Sequence, residues 1–311
     1  MKKPKLSFII PAKDEADSVD ILYGEIKAVL KKIKNSHEVI FIDDGSTDNT
    51  YSKLKQIKRK DKSVRLIRLR GNFGKSIALQ IGFDKSKGDI IFTLDGDLQD
   101  NPKEIPSFLS KLEEGYDLVS GWKKKRKDPL TKTLPSKIGN WLTRTLTGIN
   151  IHDLNCGYKV YRREVVQNLN LYGELYKYIP VMAVKQNFKV AEIIIDHRPR
   201  KHGKSKYGWE RNTKGVLDLL TIIFLTGYLR RPGHFFGSFG LLSFFIGFLI
   251  GIYIAYLRLS TGTIQERHPL LFLGMLLMII GVQLISTGLL AEMMIYSKQK
   301  FDYSSSIKEI K

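Results

Sequence analysis

The sequence predicts an α/β protein: a Rossmann-like, mostly parallel sheet wrapped by helices, then an interfacial helix and two transmembrane helices. Three observations carry this. Strand-like and helix-like segments alternate as far as Leu94. A polar motif rich in Asp, Gly or Lys follows each of the first four strands. Two 23-residue segments near the C terminus carry no formal charge. Alternation of this kind builds a parallel sheet. An uncharged helix of that length reaches about 34 Å, enough for a hydrocarbon core of about 30 Å.

The elements follow in order. Lys5–Ile10 (KLSFII) is a short β run. Val19, Leu22, Ile26, Val29, Leu30 and Ile33 recur at helical spacing behind Asp17 and Ser18 as caps. Glu38–Ile42 (EVIFI) is a second strand and Thr47–Lys60 a second helix. Val64–Leu69 is a third strand, Asn72–Ser86 a third helix and Asp89–Leu94 a fourth strand. Ligands of such sheets bind beyond the carboxyl ends of the strands. The polar motifs stand there: PAKDE (11–15), DDGSTD (43–48), RGNFGK (70–75) and DGDLQD (95–100).

The two uncharged segments are Phe235–Leu257 and Pro269–Ala291. Gly237, Gly240, Gly247 and Gly251 in the first, with Gly274, Gly281 and Gly288 in the second, suit close helix contact in lipid. Between the α/β part and the first span, Val216, Leu217, Leu219, Leu220, Ile223 and Phe224 form an apolar stripe. It runs between Trp209 and Arg230–Arg231 and reads as a helix lying on the membrane surface. The expected division is therefore a catalytic domain over 1–207, an interfacial helix over 208–233, a transmembrane hairpin over 234–297 and a tail over 298–311. Arg230, Arg231, Lys298 and Lys300 flank the hairpin on one side, whereas the connector holds Arg258 and Arg267. Positive-inside reasoning puts both termini and the α/β domain in the cytoplasm. No secretory signal is expected ahead of the first strand.

The 311 residues include 51 Lys+Arg and 31 Asp+Glu, a formal charge of +20. Residues 234–311 hold six basic and four acidic residues, so +18 falls on the part before the spans. Such a charge asks for nucleic acid, anionic lipid or phosphorylated substrates. The basic residues gather near 53–75, 123–137 and 198–214, two of these adjoining the polar motifs. That pattern speaks against nucleic acid and for phosphates beside a membrane. A mean hydropathy of −0.16 averages a polar domain with an apolar hairpin. One cysteine, Cys156, excludes an internal disulfide and a Cys-rich zinc site, and reads as a small buried residue.

Asp95 and Asp97 are two apart in a turn, with Gln99 two further on. Hard oxygen ligands at this spacing suit Mg²⁺ or Mn²⁺. No GxxxxGK[ST] is present and no GxGxxG follows the first strand, so neither a P-loop nor a dinucleotide site is expected.

At these motifs the chain resembles the family 2 glycosyltransferases of GT-A type, in particular the membrane-attached polyprenyl-phosphate hexose synthases. Among these are dolichol-phosphate mannose synthases and bacterial polyprenyl-phosphate glucosyltransferases. The matching pieces are PAKDE (11–15), IDDGSTDNT (42–50), RGNFGKSIAL (70–79), DGDLQDNP (95–102), VSGWKKKRKD (119–128), DLNCGYKVYRR (153–163) and HRPRKHGKSKYG (197–208). The resemblance implies an inverting transfer of a hexose from a nucleotide-diphosphate sugar to undecaprenyl or dolichyl phosphate. UDP-glucose, GDP-mannose and related donors all remain open.

Roles follow by resemblance. Pro11, Glu15, Phe41 and Asp43 would border the nucleoside. Lys13 stands where the mannose synthases commonly carry Tyr. Lys13, Lys75, Gly96, Arg200 and Lys206 would complete the donor site, with Arg200 and Lys206 clamping the diphosphate. Asp95 and Asp97 would be the DxD pair around the metal, with Gln99 a further ligand. Lys123, Lys132 and Ser136 match positions that hold the lipid phosphate, and Asp153 would be a catalytic carboxylate facing the sugar. A polyprenyl phosphate is already an anion near neutral pH, so no strong general base is needed. A sugar-acceptor enzyme of the same fold is the rival, but no QxxRW segment is present. Expected partners are the nucleotide sugar, polyprenyl phosphate and membrane lipids of a prokaryotic plasma membrane. Two spans per chain leave room for a homo-oligomer.

Overall fold

The computed structural model describes residues 4–124, 144–145, 148–199, 232–264 and 266–298. The chain divides into two compact units, Met1–Ile222 and Ile223–Lys311.

In the first unit β1 (Leu6–Ala12), β2 (His37–Asp43), β3 (Val64–Arg68) and β4 (Ile90–Thr93) alternate with α1 (Val19–Ile33), α2 (Thr50–Lys60) and α3 (Lys75–Lys85). Next come α4 (Ile105–Glu113), β5 (Leu118–Trp122), β6 (Lys159–Arg162), α5 (Arg163–Gln167), α6 (Ile179–Lys185) and β7 (Val190–Ile194). The seven strands lie in the order β3-β2-β1-β4-β6-β5-β7. β1 pairs in parallel with β2 and β4, and β2 with β3. β6 runs antiparallel to both β4 and β5, so β5 points the same way as β4. β7 is parallel to β5. All strands but β6 therefore deliver their carboxyl ends to one edge.

Burial explains the strand sequences. Phe8, Ile9, Ile10, Ile40, Phe41, Ile91 and Phe92 are fully buried, as expected where helices cover both faces. α1 buries Val19, Leu22, Ile26 and Leu30, one stripe at a helical period. The aromatic core runs from Phe8 stacked on Phe92 (4.9 Å) through Phe108 to Tyr158. α3 lies so close to β1 that a Cβ on Gly82 would stand 2.4 Å from the Ile9 side chain.

The helix starts differ from the sequence reading by three residues. α2 begins at Thr50, because the Thr47 N–H is taken by Asp14 (2.7 Å) and the Thr50 N–H by Asp48 (2.9 Å). α3 begins at Lys75, because the N–H groups of Phe73 and Gly74 donate to Asp44. β1 runs on through Pro11 and Ala12.

The second unit consists of α7 (Pro232–Thr261) and α8 (His268–Lys298) as described. Both are long and apolar enough to cross a membrane, and few of their residues are buried. They pair through a glycine seam. A Cβ on Gly247 would stand 2.5 Å from the Gly274 carbonyl oxygen, and one on Gly240 would stand 2.7 Å from that of Gly281. Gly288 faces Gly233 in the same way, and the Ser243 hydroxyl donates to Leu277 O (2.8 Å). Gly237 and Gly251, expected in the same contact, face open space. The interfacial helix expected over 208–233 lies outside the described residues except for its last two positions, which begin α7.

Candidate active site

The site lies where the sheet order reverses. From β1 the chain moves to β2 and β3 on one side, then returns to β4 on the other. Ligands of open α/β sheets bind at this switch point, outside the carboxyl ends. The loops after β1 and β4 meet there: a Cβ on Gly96 would stand 3.3 Å from Pro11 O and 3.5 Å from Glu15 Cγ.

Carboxylates bind the β1 and β2 loops together. Asp14 adopts a left-handed backbone (φ 46°), and its N–H donates to Ser46 Oγ (3.0 Å). The Glu15 N–H donates to Thr50 Oγ1 (2.8 Å) and the Ala16 N–H to Asp48 (3.2 Å). Asp43 is fully buried. Its Oδ1 accepts the Ser46 N–H (3.2 Å), and its Oδ2 has a 3.4 Å ion contact with Arg68 Nε. Among the described residues that Oδ2 accepts no hydrogen bond.

Asp44 tethers the loop after β3. Its oxygens accept the N–H groups of Phe73 (2.8 Å) and Gly74 (3.0 Å). With the Asn72 amide turned to donate to Asp44 (3.1 Å), its oxygen accepts from Lys13 Nζ (2.6 Å). Gly45 makes this approach possible: its φ is 69°, and a Cβ there would stand 2.5 Å from the Gly71 carbonyl carbon.

After β4 the first of the paired aspartates, Asp95, lies among lysines. Lys75 Nζ, from the first residue of α3, bonds Asp95 Oδ1 and lies 5.0 Å from the Tyr176 ring centre. Burial pushes the Asp95 carboxyl up, but the Lys75 and Lys123 charges, the Lys75 hydrogen bond and the Lys159 charge outweigh it, and the net shift is downward. Asp95 stays ionised. Asp97 is buried, and its Oδ1 accepts the Gln99 N–H (3.2 Å). Leu98, in the left-handed region (φ 63°), closes the turn.

Gln99 faces Arg198. The Arg198 N–H donates to Gln99 O (3.1 Å), and the Gln99 amide donates to Arg198 O (3.5 Å). Asp100 pairs as a β-bridge with His197. Its carboxylate meets Lys123 Nζ at 3.1 Å and accepts the Asp95 N–H at 3.3 Å. Burial pulls the Lys123 ammonium down, but the carboxylates of Asp100, Asp95 and Asp153 outweigh it, so it stays charged. The Lys123 N–H reaches Asp153 Oδ2 (3.4 Å), and Asp153 is itself buried.

The segment between Asp153 and β6 backs the aspartates. A Cβ on Gly157 would stand 2.5 Å from Asp95 Oδ2 and 2.6 Å from Oδ1. Thr93 Oγ1 donates to Gly157 O (2.7 Å), fixing this contact. Lys159, 2% exposed, donates to the carbonyls of Leu154 (3.3 Å) and Cys156. Burial lowers its pKa to about 8. Burial pushes the Cys156 thiol up to about 12, consistent with a structural cysteine.

Of the expected site residues, Pro11, Glu15, Gly96, Lys75, Asp95, Lys123 and Asp153 are brought together, with Asp97 in the same turn. Phe41 and Asp43 lie on the neighbouring strand β2. The amide nitrogen of Gln99, in the same turn, donates to Arg198 O. Lys132, Ser136, Arg200 and Lys206 lie outside the described residues. Asp44, Asp100, Gly157 and Lys159 were not singled out from sequence. They stand within the motifs DDGSTD, DGDLQD and DLNCGYKVYRR, whose composition gives them no separate role.

The family model "Glycosyl transferase family 2" matches residues 7–169. The dodecaprenyl-phosphate galacturonate synthase of Rhizobium johnstonii is 38% identical over 305 residues, 96% of this chain and 90% of that protein. The undecaprenyl-phosphate 4-deoxy-4-formamido-L-arabinose transferase of Pseudomonas paraeruginosa is 32% identical, over 92% of this chain and 84% of that protein. Glucosyl-3-phosphoglycerate synthase from Mycobacterium tuberculosis, solved with Mn²⁺ and UDP-glucose, shares the fold. Its TM-score is 0.55 at 18% identity, over 72% of this chain and 79% of that one. The fold is GT-A, and the chain belongs to glycosyl transferase family 2 and is a glycosyltransferase.

Proposed function

We propose that the enzyme moves a hexose from a nucleotide-diphosphate sugar to polyprenyl phosphate at the cytoplasmic face of a prokaryotic plasma membrane. One observation carries this reading. The match to a protein named for a dodecaprenyl-phosphate product runs over 96% of the chain, so it takes in both the carboxylate turn and the apolar helices. The two helices would hold the enzyme where a polyprenyl chain resides.

Asp95 and Asp97 offer hard carboxylate oxygens, the donor set of an Mg²⁺ or Mn²⁺ that completes its shell with phosphate and water. Among the described residues no group of three or more His, Cys, Asp or Glu gathers, which fits an ion holding few protein ligands. Such an ion, when bound, neutralises charge on the departing diphosphate. The protein's own contribution is positioning and charge. Asp43 carries a buried oxygen without a hydrogen bond, which suits a donor group of the nucleoside. Lys75 lies beside Asp95 and is placed to meet phosphate oxygens once the donor arrives. The acceptor phosphate attacks C1 of the sugar in line with the leaving diphosphate and needs no base. Lys132, Ser136, Arg200 and Lys206 are assigned to the two phosphates by resemblance, and the domain limits 1–207, 208–233 and 234–297 go with that assignment.

A nucleotide-sugar panel tests the reading. UDP-glucose, GDP-mannose, a uronic-acid donor and a modified-pentose donor are each incubated with polyprenyl phosphate and Mg²⁺ or Mn²⁺. Label should enter the lipid phase with one donor, and Asp97→Ala should abolish it while leaving the melting profile intact. No lipid product from any donor would favour a sugar acceptor instead. Full activity in Asp97→Ala would sink the metal–diphosphate role.

A further inference from the structure

We infer that Lys123 and Asp100 form a positioning pair that ties the Asp95–Asp97 turn to the end of β5, and that Lys123 is not a ligand of the acceptor phosphate. This deepens the proposed function, because it rests on that turn holding the donor diphosphate.

The two side chains belong to separate elements: Asp100 closes the loop after β4 and Lys123 follows β5. Their charged atoms are 3.1 Å apart, with the carboxylate at 0% exposure and the lysine side chain at 11%. Asp100 is a two-sided connector. One oxygen faces the ammonium, and the other accepts the N–H of Asp95 (3.3 Å), the first of the paired aspartates. Lys123 is tied at its other end, since its N–H reaches Asp153 (3.4 Å). β6 lies between β4 and β5 and pairs with both, but its ladders end with Lys159 opposite Thr93 and Ser120, short of Asp100 and Lys123. The ion pair carries that link past the ends of the ladders.

The Lys123 ammonium is committed to Asp100 (3.1 Å) in a buried setting. Drawing Lys123 toward a lipid phosphate would leave the Asp100 carboxylate buried and uncompensated, a strongly destabilising arrangement. Two carboxylates of the loop, Asp95 and Asp100, each take one lysine, Lys75 and Lys123. Among the described residues Lys75 pairs with Asp95 of the DxD motif, and Lys123 pairs with Asp100 behind it.

The experiment uses the full-length chain in detergent and the variants Asp100→Asn, Lys123→Met, their combination, and Lys123→Arg. Three quantities are read: Mn²⁺ binding in the presence of UDP or GDP by electron paramagnetic resonance, the KM for polyprenyl phosphate, and thermal melting. Each of Asp100→Asn and Lys123→Met should weaken nucleotide-dependent Mn²⁺ binding by about tenfold, and the double variant no further, as residues in contact are coupled. Lys123→Arg should restore binding, and the KM for polyprenyl phosphate should change little in any variant. A Lys123→Met that raises that KM at least tenfold with normal Mn²⁺–nucleotide binding overturns the proposal. If the wild-type chain binds neither nucleotide, the donor reading falls by itself. The pair then stands on the melting cycle, where additive losses overturn it and non-additive losses uphold it.

Discussion

Gly157→Ala tests how closely the site is built. The new methyl would stand 2.5 Å from Asp95 Oδ2, 2.6 Å from Oδ1 and 2.7 Å from Cγ, whereas ordinary contact starts near 3.4 Å. Something must move by about 1 Å. Gly157 itself is held, since its carbonyl accepts from Thr93 Oγ1 within the β4–β6 contact. The carboxylate is therefore the part that yields, against its bond to Lys75. A misplacement of about 1 Å at a reacting centre costs on the order of 10²-fold in rate. Overpacking of this kind also costs about 1–3 kcal/mol of stability. The assay is the initial rate of label transfer into the lipid phase, beside a melt of the same preparation. Gly24→Ala is the control, because nothing lies within 4 Å of that position on α1. A Gly157→Ala enzyme within about threefold of wild type, with an unchanged melt, would refute the claim that Asp95 is held rigidly at the reacting centre.

Other outcomes follow from the same geometry. Gly45→Ala should destabilise the first unit by about 1–3 kcal/mol in denaturation, because its Cβ meets the Gly71–Asn72 backbone and its φ is left-handed. Lys159 should make stability rise with pH between about 8 and 10.5. Its folded pKa lies below its unfolded one, so the unfolded chain binds more protons there, and Lys159→Met should flatten that slope in melts taken across the window. Gly247→Leu should part α7 from α8 and lower the melting temperature in detergent by several degrees, while Gly251→Leu, facing open space, should leave it near wild type.

Local signals made the first half of the sheet readable. β1, β2 and β4 are apolar runs of strand length, and α1 shows a single buried stripe, so neighbours in sequence suffice to define them. The order β6-β5-β7 rests on pairings between distant segments, such as Val119 with Val160, that no local period encodes. The starts of α2 and α3 are set by distant residues for the same reason. Asp14 and Asp44, 33 and 29 residues away from Thr47 and Phe73, claim those N–H groups.

In the site, Asp95 and Asp97 stood out because a paired carboxylate after a strand has a chemical meaning by itself. Gly157 and Asp100 did not, because their importance lies in what they touch across the sheet. The hairpin glycines were legible as a set but not by role. A period of seven separates Gly233, Gly240 and Gly247 from Gly237 and Gly251, and that is the seam the helices use.

The seam also restricts how the hairpin can move. Three glycines on α7 face three on α8, each pair seven residues from the next. A slip by one helical turn would press Gly240 against a residue with a full side chain, Leu277 or Ile285. The next register that meets glycine with glycine is a whole heptad away, about 10 Å along the axis at 1.5 Å per residue. It would keep only two of the three pairs. Sliding by small steps is thereby closed off, so the two helices tilt or turn as one post. A seven-residue repeat also runs slightly short of two helical turns, so the post winds left-handed.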